Sequence, residues 1–179
     1  MRENDLNTLL RSVLLDGLTA HKLPAVAVKR SNQPTDQGPD SGPCLYFFVV
    51  THHRYGSPQR TDEWDKESER MVHTESQWIE TTYQITGSST QNPADLESPT
   101  ANDLIFHASA ILQSDSAISQ LRKNGVGVYR ITDNRNTFFK NDRDQYEASP
   151  SFDITFTHKD VTVSTTPVAS SVEFKIYRV

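Results

Sequence analysis

Six histidines and a run of carboxylates are the residues of this chain best equipped for chemistry. His73 and Glu75 stand two apart, so on a strand they share a face and could ligate one ion together. His52 or His53 from a preceding strand would supply a third ligand. Adjacent His52 and His53 point to opposite faces, so only one of them could join. No metal-ligand spacing signature supports such a site, and surface or hydrogen-bonded strand histidines are the preferred reading. Asp62, Glu63, Asp65, Glu67 and Glu69 crowd into TDEWDKESER but lack the D-x-D-x-D-G order of a calcium loop. Asp142-Arg143-Asp144 reads as a turn or an interface ion pair before it reads as a metal site. There is one cysteine, Cys44. It excludes an internal disulfide and a multi-thiolate metal site, and it suits a small buried position. No G-x-S-x-G or G-x-x-x-x-G-K-[ST] occurs. Gly125-Val126-Gly127 lacks the third glycine and following helix of a dinucleotide fingerprint, which leaves Gly127 as a close-packing position in a strand. The survey points away from an enzyme: no catalytic residue, cofactor or metal is expected.

The elements that would position these residues follow from periodicity. Leu6, Leu9, Leu10, Val13 and Leu14 form one apolar stripe, predicting a helix over 4–18 capped by Asn4 or Asp5 and ending near Gly17. Ala25–Lys29 is a short strand candidate. The apolar run Leu45–Thr51 reads as a strand covered on both faces. In the long strand candidate 71–86, Ile79, Thr81, Tyr83 and Ile85 share a dry face, while Trp78, Glu80, Thr82 and Gln84 share a wet one. Thr100-x-x-Asp103 opens a second helix as a capping box. Asp115 is expected to cap a third, which Asn124-Gly125 ends. Val126–Thr132 is a strand. Phe152, Ile154 and Phe156 alternate towards Val163, and Val172, Phe174 and Ile176 alternate beyond Pro167, predicting a long antiparallel hairpin. Polar stretches at 31–43, 52–70 and 133–150 read as extended loops. The sum is a single α+β domain, 1–179, with an antiparallel or mixed sheet and an N-terminal helix and a central helical pair packed on it.

Composition narrows the function classes. The chain has 179 residues, 35% of them hydrophobic, with 18 Lys+Arg against 23 Asp+Glu and a formal charge of −5. That balance disfavours a free-standing nucleic-acid binder, which shows a basic field. No apolar run reaches the ~20 residues that span a bilayer, so no membrane partner is expected. The start, MRENDLNTLLRS, lacks a basic region followed by an apolar one, which argues against secretion by a signal peptide. Scattered loop aromatics suit protein–protein anchoring. The candidate inter-subunit contacts are Tyr55, Trp64, Phe138, Phe139, Arg143 and Tyr146.

Several segments together, LLRSVLLDGLT, LPAVAVKRSNQPTDQGP, GPCLYFFVV, HHRYGSPQR, MVHTESQWIETTYQI and RITDNRNTFFKNDRDQYEASPSFDITFTHKDV, resemble the neck proteins of tailed bacteriophages, the gateway or neck tail-terminator-like family. The resemblance runs over most of the chain. It implies a virion component in a homo-oligomeric, hexameric ring between the head connector and the tail. Its implied partners are other copies of itself, a collar or head-completion protein above, and the tail tube and a sheath below. Genomic DNA would pass through the lumen without sequence-specific binding, and assembly would take place in the host cytoplasm. Rival readings are a head- or tail-completion protein of other stoichiometry, a monomeric metal-dependent enzyme, and a regulatory nucleic-acid-binding protein.

Overall fold

A computed structural model describes residues 1–31, 42–90, 98–140 and 146–167. Among them, helix α1 spans Glu3–Ala20, α2 Ala101–Gln113 and α3 Asp115–Lys123. The strands are β1 (Ala27–Arg30), β2 (Cys44–Arg54), β3 (Gln59–Asp65), β4 (Arg70–Ser88), β5 (Val126–Ile131), β6 (Phe138–Lys140), β7 (Tyr146–Ala148) and β8 (Ser151–Pro167). The main sheet runs β1-β2-β4-β8-β5, with β3 also paired to β4. The β1–β2 pair is parallel and the other pairs are antiparallel. This is the expected α+β architecture with a mixed sheet.

All three helices cover one face of that sheet. The stripe Leu6, Leu10, Val13, Leu14 and Leu18 of α1 is buried, with Asn7 beside it, and Leu9 is only partly covered. Leu104, Ile105, Ala108, Ile111 and Leu112 of α2 meet it, together with Ala117 and Leu121 of α3. From the sheet come Leu45 and Phe47, then Tyr83 and Ile85, then Phe152, Ile154 and Phe156. The alternation read from 71–86 therefore holds: Ile79, Thr81, Tyr83 and Ile85 are all buried.

Local details depart from expectation at the helix ends. Arg2, not Asn4 or Asp5, precedes α1; Asp5 Oδ2 accepts from the Arg2 amide at 3.2 Å. Gly17 does not end the helix. It sits inside α1 at its contact with Ile111 of α2, where a Cβ would collide with that side chain. A close helix approach explains the glycine, and α1 runs on to Ala20. Ser114, not Asp115, caps α3, its Oγ accepting from the Ala117 amide at 3.3 Å. The Thr100 capping box is present: Thr100 Oγ1 accepts from the Asp103 amide at 3.1 Å and Asp103 Oδ2 from the Thr100 amide at 2.9 Å. The Thr100 amide, then its hydroxyl, donating to Asp103 Oδ2 at 2.9 and 2.8 Å, hold the Asp103 carboxyl below its usual range. Gly125 closes α3 at φ +73°.

Gly87 has a stricter role. A Cβ there would stand 2.6 Å from the carbonyl oxygen of Ala101, where α2 begins against β4. The obstacle is backbone and cannot rotate away. Gly87→Ala is expected to cost about 1–3 kcal/mol, as overpacking does, read as a lowered midpoint in thermal unfolding.

The stretches at 52–70 and 133–150 are not the loops expected. β2 reaches Arg54, and Gln59–Asp65 forms β3. Within 133–150, Arg135 bridges Ser151, and β6 pairs with β7. Residues 32–41, which make up most of the loop at 31–43, lie outside the described residues. So does 168–179, the second half of the expected C-terminal hairpin. The described half, β8, pairs with β4 and β5.

Candidate interaction surface

Strand β4 is longer than the core that covers it. From Ile79 to Ser88 it lies between β2 and β8 under the helices. From Arg70 to Ser76 its neighbours are β3 and the distal half of β8. No residue of Arg70–Trp78, Gln59–Asp65 or Lys159–Pro167 is buried. The sheet thus continues past its core as a three-stranded arm, exposed on both faces.

β3 is the continuation of β2 along the same edge of β4. Arg54 pairs with Ile79 and Gln59 with Ser76, so four residues, Tyr55–Pro58, face only Gln77 and Trp78. The excess is absorbed locally. Gly56 takes φ +57°, and Pro58 has no amide to place. The Tyr55 amide donates to the Trp78 carbonyl at 3.1 Å. Gln77 Nε2 donates to the carbonyls of Tyr55 (3.3 Å) and Gly56 (2.6 Å).

Strand alternation sorts the arm into two faces. On the helix side stand Trp64, Met71, His73, Glu75 and Gln77. His73 Nδ1 lies 2.7 Å from Asp62 Oδ1, and its Nε2 2.9 Å from Thr166 Oγ1, tying all three strands. Arg60 pairs with Glu75 at 2.9 Å. On the outer face stand Trp78, 52% exposed, with Val161 and Val163 from β8. The Lys159 ammonium lies 5.0 Å above the Trp78 ring. A hydrogen bond to Glu80 raises the Tyr55 hydroxyl above its usual range and anchors that ring on the same face. His53 packs edge-on against Tyr55, with centroids 4.7 Å apart.

The structure therefore separates residues that the sequence grouped. Tyr55 and Trp64 lie on opposite faces. Phe138 is 62% exposed on β6, in a separate two-stranded sheet. Phe139 and Tyr146 are placed by the β6–β7 register only, and Arg143 lies outside the described residues. The histidine set is not assembled. His52 turns to Thr81, His53 to Tyr55, His73 to Asp62, and Glu75 to Arg60. No group of three or more His, Cys, Asp or Glu suited to a metal exists among the described residues. Cys44 is buried, as expected. Gly127 is the close-packing position foreseen, with Thr157 Oγ1 2.6 Å from where a Cβ would sit. Sequence reasoning missed Trp78, Val161 and Val163. The available signal was a tryptophan on the wet face of an alternating strand.

Where the arm joins the body, Thr81 Oγ1 bridges His52 Nδ1 and buried His158 Nε2, each at 3.0 Å. Thr81 has one proton to give, so one of these imidazoles must donate to it. The Met1 ammonium donates to the Lys159 carbonyl at 2.9 Å. Burial, then the Met1 ammonium, holds the His158 imidazole below its ordinary value; Asp160 opposes this and His52 adds to it. The fold therefore favours the neutral form of His158, while the unfolded chain protonates it at about 6.5. Its contribution is complete above that pH and is lost as pH falls below it. The decline in unfolding midpoint between pH 7 and pH 5 is expected to be shallower in His158→Gln than in the parent.

Comparison with known proteins bears on this arrangement. The family described as E217 gateway protein gp29 matches residues 5–168. No curated protein sequence matches. Among solved structures, a PVC sheath/tube terminator of an extracellular contractile injection system, in its extended state, shares the fold at a TM-score of 0.54 and 13% identity. The match covers 100% of this chain and 64% of that one. The chain thus corresponds to somewhat less than two thirds of that protein's length.

Proposed function

The chain belongs to the E217 gateway protein gp29 family, and from that membership we propose that it is a structural virion protein forming a homo-hexameric ring at the head–tail junction. Below the ring sit the tail tube and a sheath; above it sits the collar or head-completion protein. Genomic DNA passes through the lumen. The ring is a part of the virion neck, assembled in the host cytoplasm, and carries out no catalysis.

The observation that carries this reading is the arm. A sheet that runs beyond its core, with Tyr55, Trp78, Val161 and Val163 uncovered on one face, leaves apolar area that a neighbour can bury. Aromatic anchors in a polar surround are the composition of protein interfaces. Closed rings repeat one such heterologous contact between identical subunits. The net charge of −5 suits a lumen that lets DNA slide, because phosphate-binding grooves are basic. The fold shared with a sheath/tube terminator supports the same place in a tail.

Purified particles test the proposal. Mass spectrometry of intact virions should find this chain, and imaging averaged about the tail axis should show a ring of this mass at the neck. Absence of the chain from intact virions would end the neck reading.

A further inference from the structure

The outer face of the sheet gathers its aromatic rings around one carboxylate. Glu80 follows Trp78 on the outer row of β4, with His53 of β2 and Thr157 of β8 opposite it. The Tyr55 hydroxyl bonds it from one side. Tyr129, exposed at the β5 bulge between Val128 and Arg130, reaches the same cluster. No cation among the described residues forms an ion pair with Glu80. Arg54 turns to Gln77 and Asp160, Arg135 to Asp153, and Lys159 lies over the Trp78 ring. Arg130 belongs to the next row, opposite Thr155. A half-buried carboxylate set among aromatic rings suits a guanidinium or an ammonium, because ring faces attract cations as well.

The helix side of the subunit carries the complement. α3 buries Ala117 and Leu121 and exposes Arg122 and Lys123 in its last turn. Neither cation forms an ion pair among the described residues. Asn124 and Gly125 then lead into β5, where Val126 pairs with His158 and Gly127 with Thr157. Thr157 pairs in turn with Glu80. The two cations and the carboxylate therefore lie at one level along the strands, on opposite faces of the subunit. A contact between them is heterologous, and with its two halves level it suits a closed ring better than a climbing filament.

We infer that Glu80 of one copy, framed by Tyr55, Trp78 and Tyr129, receives Arg122 and Lys123 from the end of α3 of the next copy. Each subunit gives one basic pair and receives one. Interfaces favour aromatic residues and arginine in this way, and complementary charge fixes which faces meet. The inference rests on the self-assembly proposed above, and its test separates the two.

The full chain is made in two differently tagged, charge-swapped forms, Glu80→Lys and Arg122→Glu/Lys123→Glu. Each form alone sets like charges against each other. Each should self-associate at least tenfold more weakly than the parent by sedimentation, with circular dichroism unchanged. Mixed in equal amounts, the two forms should recover the parent's assembly with both tags in every particle, because every contact then joins opposite charges. Glu80→Gln, which removes the charge and little else, should weaken association in the same direction. Forms that assemble alone as well as the parent overturn the inference and leave the ring reading standing. Forms that fail alone and stay apart when mixed overturn it too, since these positions then do not meet. A parent that stays monomeric removes both.

Discussion

Tyr83→Ala should lower the stability of the folded chain more than any other single truncation in the sheet. Tyr83 is fully buried at the centre of β4. Its ring meets Phe47 at 6.2 Å and Phe156 edge-on at 5.8 Å, joining β2, β4 and β8. Its hydroxyl donates to Asn7 Oδ1 at 2.8 Å, joining the sheet to α1. Burial drives the phenol's pKa upward, which favours the protonated form that donates this bond. Alanine leaves a cavity, which for an aromatic core residue costs about 3–5 kcal/mol. Domains of this size hold about 5–15 kcal/mol in total. Each kcal/mol moves the midpoint by about 2–4 °C at this length, so thermal unfolding should fall by roughly 6–20 °C. Tyr83→Phe keeps the rings in contact but leaves buried Asn7 Oδ1 without its donor, a loss of about 1–3 kcal/mol. If phenylalanine proved as damaging as alanine, the hydroxyl bond and not the packing would hold sheet and helix together.

What the sequence made legible divides along the same line. Every element with a buried face announced itself. The stripe of α1, the capping box of α2 and the dry row Ile79–Ile85 all record contact with one core. β3 did not, because an arm exposed on both faces imposes no alternation of apolar and polar residues. QRTDEWD therefore reads as a loop, and only the register with β4 makes it a strand. The misplaced end of α1 has a different cause. Gly17 has the right type for a helix stop, yet its role is set by Ile111, ninety-odd positions away, and no local rule can see that contact. The interaction surface was half legible. Tyr55 stood out as an aromatic in a charged stretch. Trp78, the larger ring, was placed correctly on the wet face, where a single tryptophan attracts little notice until Val161 and Val163 join it from β8.

Trp78→Ala should behave in the opposite way to Tyr83→Ala. Half-exposed Trp78 lies outside the subunit's buried core, with the Lys159 ammonium over its ring. Such an exposed cation–π contact is worth about 0.5–1 kcal/mol, and the unfolding midpoint should move by no more than that implies. Association should respond far more strongly. A tryptophan at the centre of an interface costs about 2 kcal/mol or more on truncation, which is roughly a 30-fold weaker contact per subunit. Sedimentation of the parent and the variant across a concentration series reads this directly. Trp64→Ala is the natural control, since Trp64 is comparably exposed at 46% but faces the helix side of the arm. A loss confined to Trp78 identifies the outer face as the one that neighbours cover. Equal losses at both positions mean that the arm is gripped from both sides, as a strand inserted between two subunits would be. No loss at either returns the arm to solvent and moves the interface elsewhere on the molecule.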